Sequence, residues 1–438
     1  MDVFMSILGF IVNNIFSQAA ILIGIFALVG LIIQKKSLSD CVSGAFKTIM
    51  GMLILGAGCG VIIGSLEHFN AWFSAAVGSD GVVASMETMY AVTMGAGALA
   101  RDITLAYAGI YVVNIILARI TPFKYIFLNG EAPLYFSMVG VLFGEGVFGM
   151  GSAPAVIMSM LIGGAFTVLL PAAAQPIMHK ITGGNEIAYA HTSTLGCVFT
   201  GLISKLVGDP ENSTEDIKIS PKLSFLSDTY LAIGTIMIPL YIVIAVLAGR
   251  DVVAESAGSM NYIMFAIIQG ITFCVGIYIL LSGVSLLISE LVPAFSGIAE
   301  KVVPGAIPAL DCPVIYTYAP NAVVFGFIFT TIGSFIGMLI WPLFGLPVVI
   351  PGGLACFFAG GASAVFANAT GGRRGTIIAC TLHGLLLSFL AALIAPYIST
   401  IVMEGLPSLT AYTLSESDTP ILGLLYQFIG GPIASLFH

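Results

Sequence analysis

Pro304-Gly305-Ala306-Ile307-Pro308-Ala309-Leu310-Asp311-Cys312-Pro313-Val314-Ile315-Tyr316-Thr317-Tyr318-Ala319-Pro320 places four prolines and one carboxylate in seventeen residues. Proline lacks an amide hydrogen and its ring clashes with the preceding turn, so four of them cannot share one straight helix. Long apolar stretches nevertheless flank the run on both sides. It reads as a re-entrant hairpin, about 304–320, that dips into a membrane and returns. A second broken tract, 183–208, opens on Gly183-Gly184-Asn185-Glu186, passes through His191-Thr192-Ser193-Thr194 and returns through a short apolar piece. Irregular backbone survives at that depth only where protein or a water-filled cavity surrounds it.

The rest of the chain supports the membrane reading. Of its 438 residues 58% are hydrophobic and 8% charged, against about 25% charged in soluble domains; the mean hydropathy is +1.07. So few charges cannot cover a water-facing surface. Apolar runs near 18–33, 46–66, 103–118, 126–148, 152–172, 229–248, 261–285, 321–343, 348–366, 376–397 and 420–437 make about eleven spans. The fold class expected is an all-α integral membrane protein with two re-entrant hairpins, and no alternating strand segments suggest a barrel.

Lysine and arginine mark the cytoplasmic side. Lys35, Lys36 and Lys47 follow the first span, Arg119 and Lys124 the third, Lys180 the fifth, Lys301 the seventh, and Arg373 with Arg374 the ninth. Loops 67–87 and 404–418 are acidic without lysine or arginine, and Arg250 is the one dissenter. This predicts a multi-pass protein with its N-terminus outside and its C-terminus cytoplasmic. The polar stretch 209–228 becomes a cytoplasmic loop joining two halves, 1–208 and 229–438, of one membrane domain. One hairpin in each half is the layout of a transporter built from inverted repeats, with substrate held near the midplane.

Several function classes are excluded. With no basic run longer than two residues, nucleic acid is not an expected partner. The seven cysteines are scattered without a CxxC pair, which predicts small buried thiols, no metal site and no cofactor. The start of the chain lacks a cleavable-signal layout. Residues 3–16 and 286–303 read as helices along the membrane surface.

At residue level, the block from Glu290 to Phe327 resembles the ascorbate-type enzyme IIC of the bacterial sugar phosphotransferase system. It opens Glu290-Leu-Val-Pro-Ala-Phe-Ser-Gly and contains Asp311-Cys-Pro-Val-Ile-Tyr316 and Asn321. Phe46-Lys47-Thr48-Ile49 with Gly56-Ala57-Gly58-Cys59-Gly60, and Phe366-Ala367-Asn368 with Gly371-Gly372 and Arg373, resemble the same family in the same order. The resemblance implies a permease of the bacterial cytoplasmic (inner) membrane that carries a sugar or sugar-acid substrate. It implies a homodimer in the lipid bilayer, with a scaffold (V-motif) part and a core part that moves like an elevator. Phosphorylation is then performed by a separate enzyme IIB, a phosphocysteine donor supplied by enzyme IIA. No such soluble domain is seen before His438.

Asp311 is the first site residue. A carboxylate at membrane depth must be paired, solvated or protonated, and phosphorylating a sugar hydroxyl needs an acceptor for its proton. The resemblance assigns it substrate contact and the role of base; the alternative is a cap for the helical piece after it, since Asp-Cys-Pro is a good helix opening. His191 matches a substrate-binding histidine, and Thr192 stands where ascorbate transporters have an amide; the alternative is a histidine that only ties down its hairpin. Glu131 stands where those transporters have a histidine, and Tyr135-Phe136 where they have glutamines. A carboxylate would repel anionic ascorbate, whereas a neutral polyol or pentose would find an acceptor and an aromatic face. Glu131 is otherwise an interfacial acid. Gly58, Cys59 and Tyr90 match further substrate contacts; Gly56, Gly60 and Gly64 alternatively serve close helix packing. His383 reads as a packing residue and Glu145 as a wet outer acid. A proton- or sodium-coupled secondary sugar transporter is the competing class, with Glu131, Glu290 and Asp311 as proton sites.

Overall fold

The computed structural model describes residues 19–77, 82–86, 89–90, 93, 97–217, 229–301, 303–406, 409–410 and 412–434. The chain is mostly helical. Lipid offers no hydrogen bonds, so an apolar backbone must satisfy itself within each segment, and helices do that. The first half runs α1 (Ala19–Ile33), α2 (Leu38–Val77), β1 (Val82–Ala84), α3 (Gly97–Ile120), β2 (Tyr125–Phe127), α4 (Glu131–Val141, continued as a π-helical turn to Val147), α5 (Ser152–Thr182), β3 (Ala188–Tyr189) and α6 (Thr194–Val207). The second runs α7 (Thr229–Ala248), α8 (Arg250–Ala257), α9 (Tyr262–Lys301), β4 (Ile307–Leu310), α10 (Cys312–Tyr316), α11 (Pro320–Ile340), β5 (Val349–Ile350), α12 (Gly353–Ser399), β6 (Tyr412–Thr413) and α13 (Asp418–Ala434).

Among the described residues, four helices are long and apolar enough to cross a membrane: Arg101–Ile120, Ser152–Thr182, Pro320–Phe344 and Ala355–Ser399. A bent pair, Met237–Ala248 with Arg250–Ala257, makes a fifth. The other expected spans also fall on helices, with two adjustments. Segments 126–148 and 348–366 open on strands, and their helices start at Glu131 and Gly353. Residues 286–301 are not a separate surface helix but the continuation of α9. Forty residues of helix rise about 60 Å, twice the hydrocarbon thickness of about 30 Å, so α2 and α9 each outrun a perpendicular crossing. Residues 3–16 lie outside the described residues.

The chain is not purely helical. Six short strands, among the described residues, form two parallel sheets of three, in the orders β2-β4-β3 and β5-β1-β6. Their arrangement exposes a repeat that the residues conceal. Long helix, strand, helix, strand, two helices, strand and helix recur in both halves. From α9 onward, leaving out the short α10, each element of the second half starts 222–225 residues after its counterpart, from Leu38 and Tyr262 to Thr194 and Asp418. The first strand of each half sits at the centre of a sheet whose edges are the other half's second and third strands. The halves are thereby hydrogen-bonded through each other. The proline tract and the His191 tract are not each other's counterparts in this order: β4 corresponds to β1, and β3 to β6.

The loop after α6 is structured at its start. The Asp209 amide donates to the Gly371 carbonyl (2.8 Å), Arg373 to Asn212 (2.7 Å), and Thr214 to Asn368 Oδ1 (2.8 Å). The Glu215 carboxylate accepts the Asn321 and Ala322 amides at the head of α11. This clasp sits on a break in α12 at Gly371 and Gly372, which separates the expected spans 348–366 and 376–397. Gly372 has φ +58°, and a Cβ there would overlap the Asp209 and Asn212 carbonyl oxygens. Among the described residues, helix packing through Gly60 and Gly64 is not found: a Cβ at either meets nothing within 4 Å. The six described cysteines are free thiols.

Candidate functional site

Three strands of the first sheet end side by side, and each runs straight into a helix. Register pairs Phe127 and Ala188 with Ala309, which sets Asn129, His191 and Asp311 at one edge. Ligands bind beyond the carboxyl ends of parallel strands because the following helix N-termini point their free amides there. Short strands suffice here: the tract needs only enough ladder to hold its turn.

Asp311 opens α10, and its Oδ1 accepts the Cys312 amide at 2.6 Å. The capping reading is therefore correct, and capping does not occupy the rest of the carboxylate, which remains partly exposed. His191 is buried in the neighbouring turn. Its Nδ1 accepts the Ser193 amide at 3.1 Å. A backbone amide can only donate, so in the neutral ring the proton sits on Nε2. Asn129 joins them: its Oδ1 accepts the Glu131 and Ala132 amides at 2.8 and 2.9 Å, and its Nδ2 donates to the Ala190 carbonyl at 3.1 Å. One side-chain atom each from His191, Asp311 and Cys312 lie within 4.8 Å of one another. Such a trio could hold a divalent ion of the zinc type, a grouping invisible in the cysteine spacing.

The second half closes over the His191 tract. The Asp418 carboxylate accepts the Thr194 and Leu195 amides at 2.7 and 2.9 Å, and the Asp418 amide donates to the Thr192 carbonyl at 2.8 Å. The Ser417 hydroxyl accepts the Gly196 amide and meets the Ser193 hydroxyl at 3.2 Å. Ser193 and Ser417 are counterparts in the repeat, so the two helix heads are fastened tip to tip. Glu416 Oε1 comes 3.9 Å from His191 Nε2. One imidazole donor thus stands beside the carboxylates of Asp311 and Glu416, an arrangement suited to a polyhydroxy solute and to taking a proton from one of its hydroxyls.

A family model described as the PTS system sugar-specific permease component, EIIC-GAT, matches residues 14–410. The chain belongs to that family. A curated relative, the ascorbate-specific PTS system EIIC component of Mycoplasma pneumoniae, is 26% identical over 417 residues, covering 84% of this chain. The match takes in 63% of the relative, so the chain spans less than two thirds of that protein's length.

In this chain Asp311, His191 and buried Thr192 share one site edge. Glu131 and Tyr135 head α4 just past Asn129. Glu131 is exposed, and the Tyr135 ring meets Tyr90 edge-on at 6.2 Å, so those two expected residues are also together. Phe136 points elsewhere, fully buried between Phe127 and Phe166. Gly58 and Cys59 lie along α2; Gly58 is buried, and the Cys59 side chain and Glu87 lie outside the described atoms. His383 is a buried packing neighbour of the site, with Nε2 3.5 Å from the Ser363 hydroxyl. Glu145 is not simply wet: one carboxylate oxygen is buried, near Asp102.

Sequence reasoning missed Asn129, Glu416 and Asp418. The last two stood in a stretch taken for an acidic outer loop, 404–418, yet Asp418 is fully buried. A signal existed: Ser417-Asp418-Thr419-Pro420 is a helix-start pattern, as Asn129-Gly130-Glu131 is.

Proposed function

We propose that this chain is the enzyme IIC permease of a phosphotransferase system. It binds a sugar or sugar-like solute at the strand-end site and carries it across the bacterial cytoplasmic membrane for phosphorylation by a separate enzyme IIB. The meeting of Asp311 and His191 at one edge carries the reading. The His191 Nε2–H orients a substrate oxygen. The reacting hydroxyl oxygen attacks phosphorus of the IIB phosphocysteine, the S–P bond breaks with thiolate leaving, and the hydroxyl proton passes to the Asp311 carboxylate. Ascorbate is what the Mycoplasma relative's name specifies; a neutral polyol or pentose is the alternative for this chain. The two interlocked halves, joined by 209–228, support an inverted-repeat core moving against a scaffold, in a homodimer with its N-terminus outside and its C-terminus cytoplasmic.

Vesicles loaded with enzymes IIA and IIB, together with the general phosphocarrier and the enzyme that charges it from phosphoenolpyruvate, test the proposal. Uptake that requires phosphoenolpyruvate and delivers phosphorylated sugar is expected. Unmodified sugar inside, with uptake abolished by an uncoupler, would establish the proton-coupled class instead.

A further inference from the structure

Glu416 is an unusual residue in an unusual conformation. It follows β6 and adopts φ +66°, the left-handed region that side chains other than glycine and asparagine seldom occupy. It is buried. Its neighbours explain how it is held: Ser417 and Asp418 are fastened to four groups of the His191 tract, through Thr192, Thr194, Leu195 and Gly196. That clasp fixes the backbone that carries the Glu416 carboxylate beside His191. Glu416 and Ser415 also line a cavity with Pro351 and Gly352 at the end of β5, and with Ser334 and Ser388. That cavity is small, about 20 Å³, room for about one water, and its lining takes in neither Asp311 nor His191.

We infer that Glu416 is a substrate-binding, specificity-determining residue of the sugar site, selecting neutral polyhydroxy solutes over sugar acids. This rests on the reading that solute sits at Asp311 and His191. Counting groups leads there. Two carboxylates, Asp311 and Glu416, stand by one imidazole, Glu416 Oε1 3.9 Å from Nε2, while His191 Nε2 supplies one donor and the Asn129 amide donates to Ala190 and to Asp311. Such a site favours a solute that brings donors rather than negative charge. Hydroxyl groups bring donors; a carboxylate or enolate brings further acceptors and, beside two acids, like charge.

Equilibrium binding to the full-length purified protein, with sorbitol and ribitol as neutral probes and ascorbate and gluconate as anions, tests this. The wild type should prefer the neutral probes. Glu416→Gln should shift the anion-to-neutral ratio toward the anions about tenfold or more, and Glu416→Asp should restore it. Thermal unfolding alongside confirms that the variants fold. An unchanged ratio in folded Glu416→Gln overturns the inference, and so does a wild type that prefers either anion, whether or not the variant folds. Phosphoenolpyruvate-dependent uptake of an anion would overturn this inference while leaving the permease reading intact. Absence of coupled uptake for every sugar would instead sink the permease reading.

Discussion

Asp311 carries two tasks that one substitution can separate. Its carboxylate caps α10 through the Cys312 amide, and asparagine caps a helix about as well as aspartate. Asparagine cannot accept a proton at neutral pH. Asp311→Asn should therefore leave yield and thermal unfolding near wild type while reducing phosphorylation-coupled uptake by about a hundredfold or more; uptake within a few fold of wild type would refute the base role. His191 offers a comparable separation. Its Nδ1 receives the Ser193 amide and its Nε2 faces the site. Asparagine can mimic the first contact better than the second, so His191→Asn should weaken sugar binding more than it lowers the unfolding temperature. Binding titration beside calorimetry measures both, and equal loss in the two would make His191 a structural residue.

The clasp between α13 and α6 is a property of two element ends. Asp418→Ala leaves the Thr194 and Leu195 amides buried without acceptors, at a cost of about 1–3 kcal/mol each. The variant should unfold at a clearly lower temperature; an unchanged one would show that water reaches those amides. The break in α12 makes a second test. Gly372→Ala forces a side chain into φ +58° against two carbonyl oxygens, and should destabilise by at least about 1–2 kcal/mol. Gly60→Ala, where a Cβ meets nothing, should not, and equal effects in the two would refute the crowding at the break. These ends also explain what the sequence disclosed. Proline and glycine punctuation at 304–320 and 183–208 announced broken segments, and the lone Asp311 and His191 within them were visible as chemistry. The sheets were not visible. Strands of two to four residues inside apolar runs leave no alternation to read, and their partners lie in the opposite half of the chain. Loop 404–418 misled for a related reason: its acids resemble a solvated turn until the helix head that receives them is known. Phe136, beside Tyr135 in sequence, faces the interior because successive helix positions diverge by about 100°.

At the scale of the molecule, each half completes the other's sheet, so neither half holds a finished site edge alone. Asn129 and His191 come from the first half, Asp311 and Glu416 from the second, and the repeat counterparts Ser193 and Ser417 touch at 3.2 Å where the halves meet. Hydrogen bonds across that contact would have to break if the tips parted during transport. An elevator motion does not require it, because both tips would travel within one body. Replacing Ser193 and Ser417 with cysteine distinguishes the two. The side chains already meet, and a disulfide needs Cβ atoms about 3.5–4.5 Å apart, so oxidation should join them. With a protease site inserted between 218 and 228, the cut fragments should run together on denaturing electrophoresis without reductant and separately with it. Coupled uptake in the oxidised, uncut protein should persist at most of its reduced level. If oxidation instead stops uptake and reductant restores it, the two tips must separate in each cycle, and the halves move against each other rather than as one core.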